Sequence, residues 1–167
     1  MKKIGIFYGS TTGTTAGIAA GIGRRLGVDP KDIHDVAETA PSKTGDYDVI
    51  ILGASTRGAG DLQEDMATFV DGLAAIDLRG TLVALFGCGD ESMADTFCNS
   101  VGEMYHRLHA THAQFFAPFD NDPYSYSSSK SDFKGMPLGL CIDQDNRPEL
   151  TEPRLDAWCE AIRQEII

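Results

Sequence analysis

The sequence predicts an α/β fold: a doubly wound, five-stranded parallel sheet with helices on both faces. Three observations carry this. Apolar runs bounded by turn signals alternate with amphipathic stretches, the pattern of successive βαβ units. The two central runs, Val49 to Leu52 and Leu82 to Phe86, are apolar without a break, as strands covered on both faces must be. A third apolar run near the amino end feeds directly into a turn rich in glycine and hydroxyl residues, and then into a helix-forming stretch.

In chain order, the first strand is expected at Lys3 to Tyr8, closed by Gly9, and the first helix at Thr14 to Leu26, beyond the hydroxyl-rich turn. Strands follow at Ile33 to Val36 and Asp48 to Gly53, a helix at Leu62 to Leu73, and a strand at Leu82 to Gly87. A helix is expected at Asp95 to His109 and the fifth strand at Gln114 to Ala117. The last helix, Glu152 to Ile166, carries Leu155, Trp158, Ile162 and Ile166 at helical spacing, which reads Trp158 as core. Between Phe115-Phe116 and Leu138 to Ile142 lies the only biased segment, Asp120 to Gly135 with its Pro-Tyr-Ser-Tyr-Ser-Ser-Ser run. It reads as an excursion, a loop of about 119–137, that splits the fifth strand.

A chain of 167 residues fits one domain, 1–167, able to bury a core without staples. Its net charge of -11 disfavours nucleic acid, whose binding requires cations against phosphates, and steers the chain toward partners with basic faces. The apolar run behind Met-Lys-Lys is too short for a signal segment or a membrane span, so a cytoplasmic protein that meets no membrane is expected. The four cysteines, Cys88, Cys98, Cys141 and Cys159, form no Cys-x-x-Cys pair and have no zinc spacing, so reduced and mostly buried thiols are expected.

The strongest local signal is Ile6-Phe7-Tyr8-Gly9-Ser10-Thr11-Thr12-Gly13-Thr14-Thr15 ahead of the helical Ala16 to Ala19. A helix amino end carries unpaired N–H groups and a positive dipole, which together favour an anion. No lysine closes the turn as in a Walker loop, and no Gly-x-Gly-x-x-Gly is present. Hydroxyls and amides without a cation suit one terminal monophosphate, although a threonine-rich cap that holds nothing is the alternative.

Residue by residue, Ile6 to Ile22 resembles the signature of the flavodoxin family in Ile6, Phe7, Tyr8, Ser10, Gly13, Thr15, Ala19 and Ile22. The similarity continues through Gly58 to Gln63, Phe86 to Asp90 and Leu138 to Asn146, and the inserted loop resembles the one that marks the long-chain branch. The resemblance implies strand order 2-1-3-4-5 and non-covalent FMN at the carboxyl ends of the first, third and fourth strands. It implies a phosphate cradle of Ser10, Thr11, Thr12, Gly13, Thr14 and Thr15, and a first ring loop of Ser55, Thr56, Arg57, Gly58, Ala59 and Gly60. The second ring loop would be Cys88, Gly89, Asp90 and Met93, with Asp95 and Phe97 beyond, and Asp145 would lie near the ribityl chain. It further implies a low-potential, one-electron carrier between redox enzymes such as flavodoxin reductase, a monomer and not an enzyme. An FMN-dependent NAD(P)H oxidoreductase of the same fold is the alternative.

Two positions depart from the family pattern. Arg57 stands where an aromatic ring is usual, and Met93 is nearest the second aromatic position. An aromatic platform is worth about 1–3 kcal/mol. A guanidinium over a π face restores about 0.5–2 and a methionine sulfur at a ring edge about 0.3–1.5. Weaker binding than is usual in the family is therefore expected. A cation at 57 would also favour reduced, negatively charged flavin, unless the side chain swings into solvent. In the family a peptide flip in the first ring loop supports the one-electron-reduced flavin; Gly58 is where positive φ comes cheaply, or it merely closes a turn.

His106, His109 and His112 lack the spacing and third ligand of a zinc site, and no metal is expected. Cys88 is expected to pack rather than react. The acidic residues Asp61, Glu64, Asp65, Glu91 and Asp95 gather around the ring loops, either as a solvated rim or as a docking face for basic partners.

Overall fold

The structure is a computed structural model that describes residues 2–166. Its strands are β1 (Ile4–Gly9), β2 (Ile33–Asp35), β3 (Val49–Arg57), β4 (Asp61–Leu62), β5 (Leu82–Cys88), β6 (Gln114–Phe115), β7 (Asp132–Phe133), β8 (Met136–Pro137) and β9 (Leu140–Ile142). The α-helices are α1 (Thr14–Leu26), α2 (Glu64–Leu73), α3 (Asn99–Leu108) and α4 (Pro148–Ile166). The main sheet runs β2-β1-β3-β5-β6 with every neighbouring pair parallel, which is the expected 2-1-3-4-5 order once the short β4 is set aside. Both β6 and β9 pair with β5, β6 beside Leu82 and Val83 and β9 beside Phe86 to Cys88.

The uninterrupted apolar run of the central strands follows from the pleat, which sends successive side chains to opposite faces. Phe7, Ile50, Leu52, Val83 and Leu85 pack with Met66, Phe69, Val70 and Leu73 of α2 and Val101, Met104 and Leu108 of α3. Ile6, Val49, Ile51, Ala84 and Phe86 pack with Ile18 and Ile22 of α1 and Leu155, Trp158 and Ile162 of α4. Each of these Val, Leu, Ile, Phe and Met side chains contributes about 1.5–3 kcal/mol. Trp158 is fully buried, edge-on to Phe86 at 6.3 Å between centroids, and its Nε1 donates to the Ala117 carbonyl at 2.9 Å.

Several element boundaries differ from the sequence-based expectation. The helix α2 begins at Glu64 because Asp61 and Leu62 pair antiparallel with Arg57 and Thr56, carrying β3 past Gly53 into a hairpin. The helix α3 begins at Asn99 because residues 89–98 form an irregular loop held by side-chain bonds. The helix α4 begins earlier than expected, with Pro148 at its start, where a missing N–H costs nothing. The fifth strand stops at Phe115, and Ala117 turns to φ 60°.

The excursion between β6 and β9 is fastened by Arg154 of α4. This buried guanidinium donates to the carbonyls of Cys141 and Asp122, both at 3.1 Å, and stacks over Tyr124 at 4.8 Å and Phe119 at 5.0 Å. Through polar and stacking contacts together, one side chain of α4 thus anchors the start of the excursion at Phe119 to Tyr124.

Gly53, in the middle of β3, lies beneath the Phe86 ring: a Cβ there would sit 1.9 Å from its nearest carbon. Phe86 is itself wedged against Trp158 and cannot retreat freely. Gly53→Ala is expected to destabilise the protein by about 1–3 kcal/mol through overpacking, read as a lower urea midpoint at unchanged slope.

Candidate functional site

The carboxyl ends of β1, β3 and β5 open together on one edge of the sheet, the place where open α/β sheets take ligands. A cleft of about 240 Å³ lies there. The turn after β1 contributes Thr11, Thr12 and Thr14; the end of β3 contributes Ser55, Thr56 and Arg57; the end of β5 contributes Cys88, Gly89 and Asp90; and the turn after β9 contributes Gln144 and Asp145.

Gly13, at φ 97°, is the N-cap of α1, a conformation that a residue with a Cβ adopts only under strain. The capping oxygen comes from Ser10, whose Oγ accepts from Gly13 N at 3.1 Å and Ala16 N at 3.3 Å. Among the described residues, no acceptor takes the N–H groups of Thr11, Thr12, Thr14 or Thr15. Only Ser10 therefore serves the helix itself. Thr11 and Thr12 are exposed toward the cleft, whereas Thr15 is buried below the turn. Burial pushes the Cys88 thiol up to about 11, against the lowering effect of the Thr15 hydroxyl, which keeps it an unreactive neutral group.

At the end of β3, Gly58 at φ 51° and Gly60 at φ 104° flank Ala59, and Gly60 N donates to Arg57 O at 3.1 Å to close the hairpin. Gly60 is packed below: a Cβ would lie 2.7 Å from Asn99 Nδ2. Gly58 meets nothing closer than Asp61 Oδ2 at 3.8 Å, so its peptide has room to turn. Arg57 is exposed and, among the described residues, pairs with no carboxylate. Thr56 Oγ1 accepts from Ser100 N at 3.0 Å, which joins the hairpin to the first turn of α3.

The loop after β5 is held from two sides. Buried Asp143 accepts from Glu91 N at 2.8 Å and from Asn146 N and Nδ2, both at 2.9 Å. Asp90 accepts from Ser92 N at 2.9 Å and Asn146 Nδ2 at 2.7 Å, and the bond from the Ser92 hydroxyl is the main reason its carboxyl lies below the ordinary carboxylate range. From the other side the serine-rich excursion lies along the same loop: Ser125 N donates to Glu91 at 2.9 Å, Ser127 N and Ser128 N to Ala94 O at 2.8 and 3.1 Å, and Ser128 Oγ to Asp95 O at 3.0 Å. Met93 stands out from this loop, 45% exposed.

Of the residues read from sequence, the structure brings Thr11, Thr12, Thr14, Ser55, Thr56, Arg57, Cys88, Gly89, Asp90 and Asp145 to the cleft wall. Ser10, Gly13 and Thr15 shape the first turn from behind; Gly58, Ala59 and Gly60 form the tip of the second; Met93 and Asp95 lie outward on the third. Phe97 is a correction: it is fully buried, stacked on Tyr126 at 5.0 Å and tilted against Tyr124 at 5.1 Å, so its ring belongs to the core under the excursion and not to the cleft. Two residues were missed. Gln144 lines the cleft beside Asp145, inside a segment whose family resemblance already marked it. Gln63, at the end of another segment that the resemblance marked, bridges two loops from a buried position, a role that depends on a residue 52 positions away. All four cysteines are free and buried, and among the described residues no group of three or more His, Cys, Asp or Glu could hold a metal ion.

Known proteins share this arrangement over the whole chain. The family profile described as Flavodoxin matches residues 6–158. A flavodoxin of Haemophilus influenzae is 38% identical over 168 residues, covering 99% of this chain and 97% of that protein. Flavodoxin 1 of Shigella flexneri is 39% identical over 165 residues, 97% of this chain and 93% of that one. The crystal structure of Fusobacterium nucleatum flavodoxin bound to flavin mononucleotide superposes with a TM-score of 0.90 at 28% identity, covering 99% of both chains.

A depressed carboxyl is charged in the folded state at pH values where it would be protonated in the unfolded chain. Its stabilisation is thus present above the ordinary aspartate value and lost as pH falls through the folded one. Removing the main cause should raise it: Ser92→Ala is expected to move the Asp90 titration midpoint upward toward the ordinary carboxylate range, read by carboxyl-carbon NMR. An unmoved midpoint would show that the hydroxyl does not bond the carboxylate.

Proposed function

The chain belongs to the flavodoxin family, and from that premise we propose that it is a low-potential electron carrier using non-covalently bound FMN, of the long-chain type, with the 119–137 loop as its insertion. The observation that carries this is the first turn: four N–H groups without acceptors among the described residues, at a helix amino end, flanked by threonine hydroxyls, with no carboxylate from Ser10 to Thr15. That donor set fits a phosphate monoester and repels nothing about it. When bound, FMN supplies an electron store that fills and empties one electron at a time.

The chain's own residues do the rest. Thr11, Thr12 and Thr14 would hold the phosphate through hydroxyl and amide donors, and Gln144 and Asp145 would meet the polar chain that joins it to the ring. The ring would lie between the Ser55 to Gly60 hairpin and the Cys88 to Met93 loop, each braced from behind so that little reorganisation accompanies electron transfer. Among the residues lining the cleft none is aromatic, so Arg57 would act as the flanking group on the first ring loop, while Met93 stands outward on the loop after β5. Arg57, which among the described residues pairs with no carboxylate, would offer a planar cation to a π face and stabilise negative charge beside it. Asp61, Glu64, Asp65 and Asp95 are exposed on the β3–β4 hairpin, the start of α2 and the loop after β5, and would form an acidic rim suited to brief docking on basic faces of redox enzymes. Among the described residues no helix is long and apolar enough to cross a membrane; a monomer in the cytoplasm is the working form we propose.

The purified protein is expected to bind FMN at one per chain and to accept electrons from dithionite in two separate steps without oxidising NADPH directly. Rapid NADPH turnover would instead identify an NAD(P)H oxidoreductase, and a protein that takes up no FMN would end the carrier reading. Arg57→Trp is expected to tighten FMN binding by up to about 5- to 150-fold, the span of one aromatic platform before the lost guanidinium contact is deducted, and to make the potential for the second electron more negative. Should that potential stay or rise, the Arg57 charge does not act on the ring.

A further inference from the structure

We propose that Gln63 is a positioning residue through which this cleft selects a phosphorylated flavin over an unphosphorylated one, by holding the Thr11 hydroxyl as a donor toward the phosphate; this rests on the FMN reading above. Gln63 is 1% exposed and caps α2, and every hydrogen-bonding atom of its side chain is committed. Its Oε1 accepts from Met66 N at 2.9 Å, which fixes the amide orientation, because the reversed amide would set NH2 against that N–H. Nε2 then donates one hydrogen to Asp65 Oδ2 at 3.1 Å and the other to Thr11 Oγ1 at 3.2 Å. Its backbone N donates to Ser55 O at 3.1 Å, tying the same residue to the neighbouring loop.

The consequence falls on Thr11. A hydroxyl has one proton to give. With its oxygen already accepting from Gln63, and with no acceptor for its proton among the described residues, the Thr11 O–H is left to point into the cleft it lines. Gly9 permits this arrangement: a Cβ there would lie 2.3 Å from Gln63 Oε1 and push the amide off its seat. A carboxylate in place of the amide would reverse the relay, taking the Thr11 proton for itself and turning that oxygen's lone pairs, together with a new negative charge, toward the anion. Only the phosphate-bearing ligand would feel the reversal, since riboflavin has the same ring and ribityl chain without the phosphate.

The test uses the full-length chain freed of flavin and measures dissociation constants for FMN and riboflavin by fluorescence quenching. The wild type is expected to prefer FMN. Gln63→Glu should cut that preference by about tenfold or more, the scale of one charge-assisted hydrogen bond, while the riboflavin constant stays within about threefold. Gln63→Met, of similar length and uncharged, should cut it by a smaller factor, and in a Thr11→Val background it should cut it no further. If Gln63→Glu fails to fold, the Met variant and the double-substitution cycle decide. Equal weakening of both flavins by the Gln63 variants would reduce the residue to a helix cap and overturn the proposal, as would additive effects of Gln63→Met and Thr11→Val. A wild type that binds both flavins equally overturns it while leaving the FMN reading intact; a wild type that binds neither overturns both.

Discussion

Burial of β3 and β5 on both faces is the constraint on which the rest of the molecule depends. Because helices cover the sheet front and back, alternate residues of one apolar run fill two separate cores, Ile50 and Leu52 with α2 and α3, Val49 and Ile51 with α1 and α4. The strands are thereby fixed in register, and their carboxyl ends arrive at one edge side by side. A cleft built from four loops needs such a base, since loops carry no register of their own.

Each loop is then locked by a polar residue that the core does not supply. Ser10 takes two N–H groups of the first turn, Gln63 spans the first turn and the β3 hairpin, and buried Asp143 gathers the loop after β5. The serine-rich excursion closes that last loop from outside, and Arg154 holds the excursion in turn. In a family of electron carriers this rigidity has a direct use: a site that moves little on changing charge transfers electrons with little reorganisation.

Much of this was legible in the chain. The alternation of apolar runs and amphipathic stretches gave the fold class, since both periods are local properties of a few residues. The glycine and hydroxyl spacing of Gly9 to Thr15 marked the anion turn because a helix amino end needs only adjacent residues to form it. Boundaries were harder to read. Asp61 and Leu62 carry nothing that distinguishes a helix start from a strand, and the decision came from pairing with Thr56 and Arg57. The resemblance places Phe97 among the FMN-binding residues beyond the second ring loop, yet its ring packs against two tyrosines of the excursion.

The sequence by itself determined the sheet, its helices, the hydroxyl-rich turn at the amino end of α1 and the acidic character of the chain, because each follows from composition or from spacing within one element. Only the tertiary structure decided which polar atoms face the cleft. Thr11 and Gln63 are 52 positions apart, as are Glu91 and Asp143. A hydrogen bond across such a distance exists only once the sheet has brought its strands together, and no local pattern encodes the direction in which its proton points.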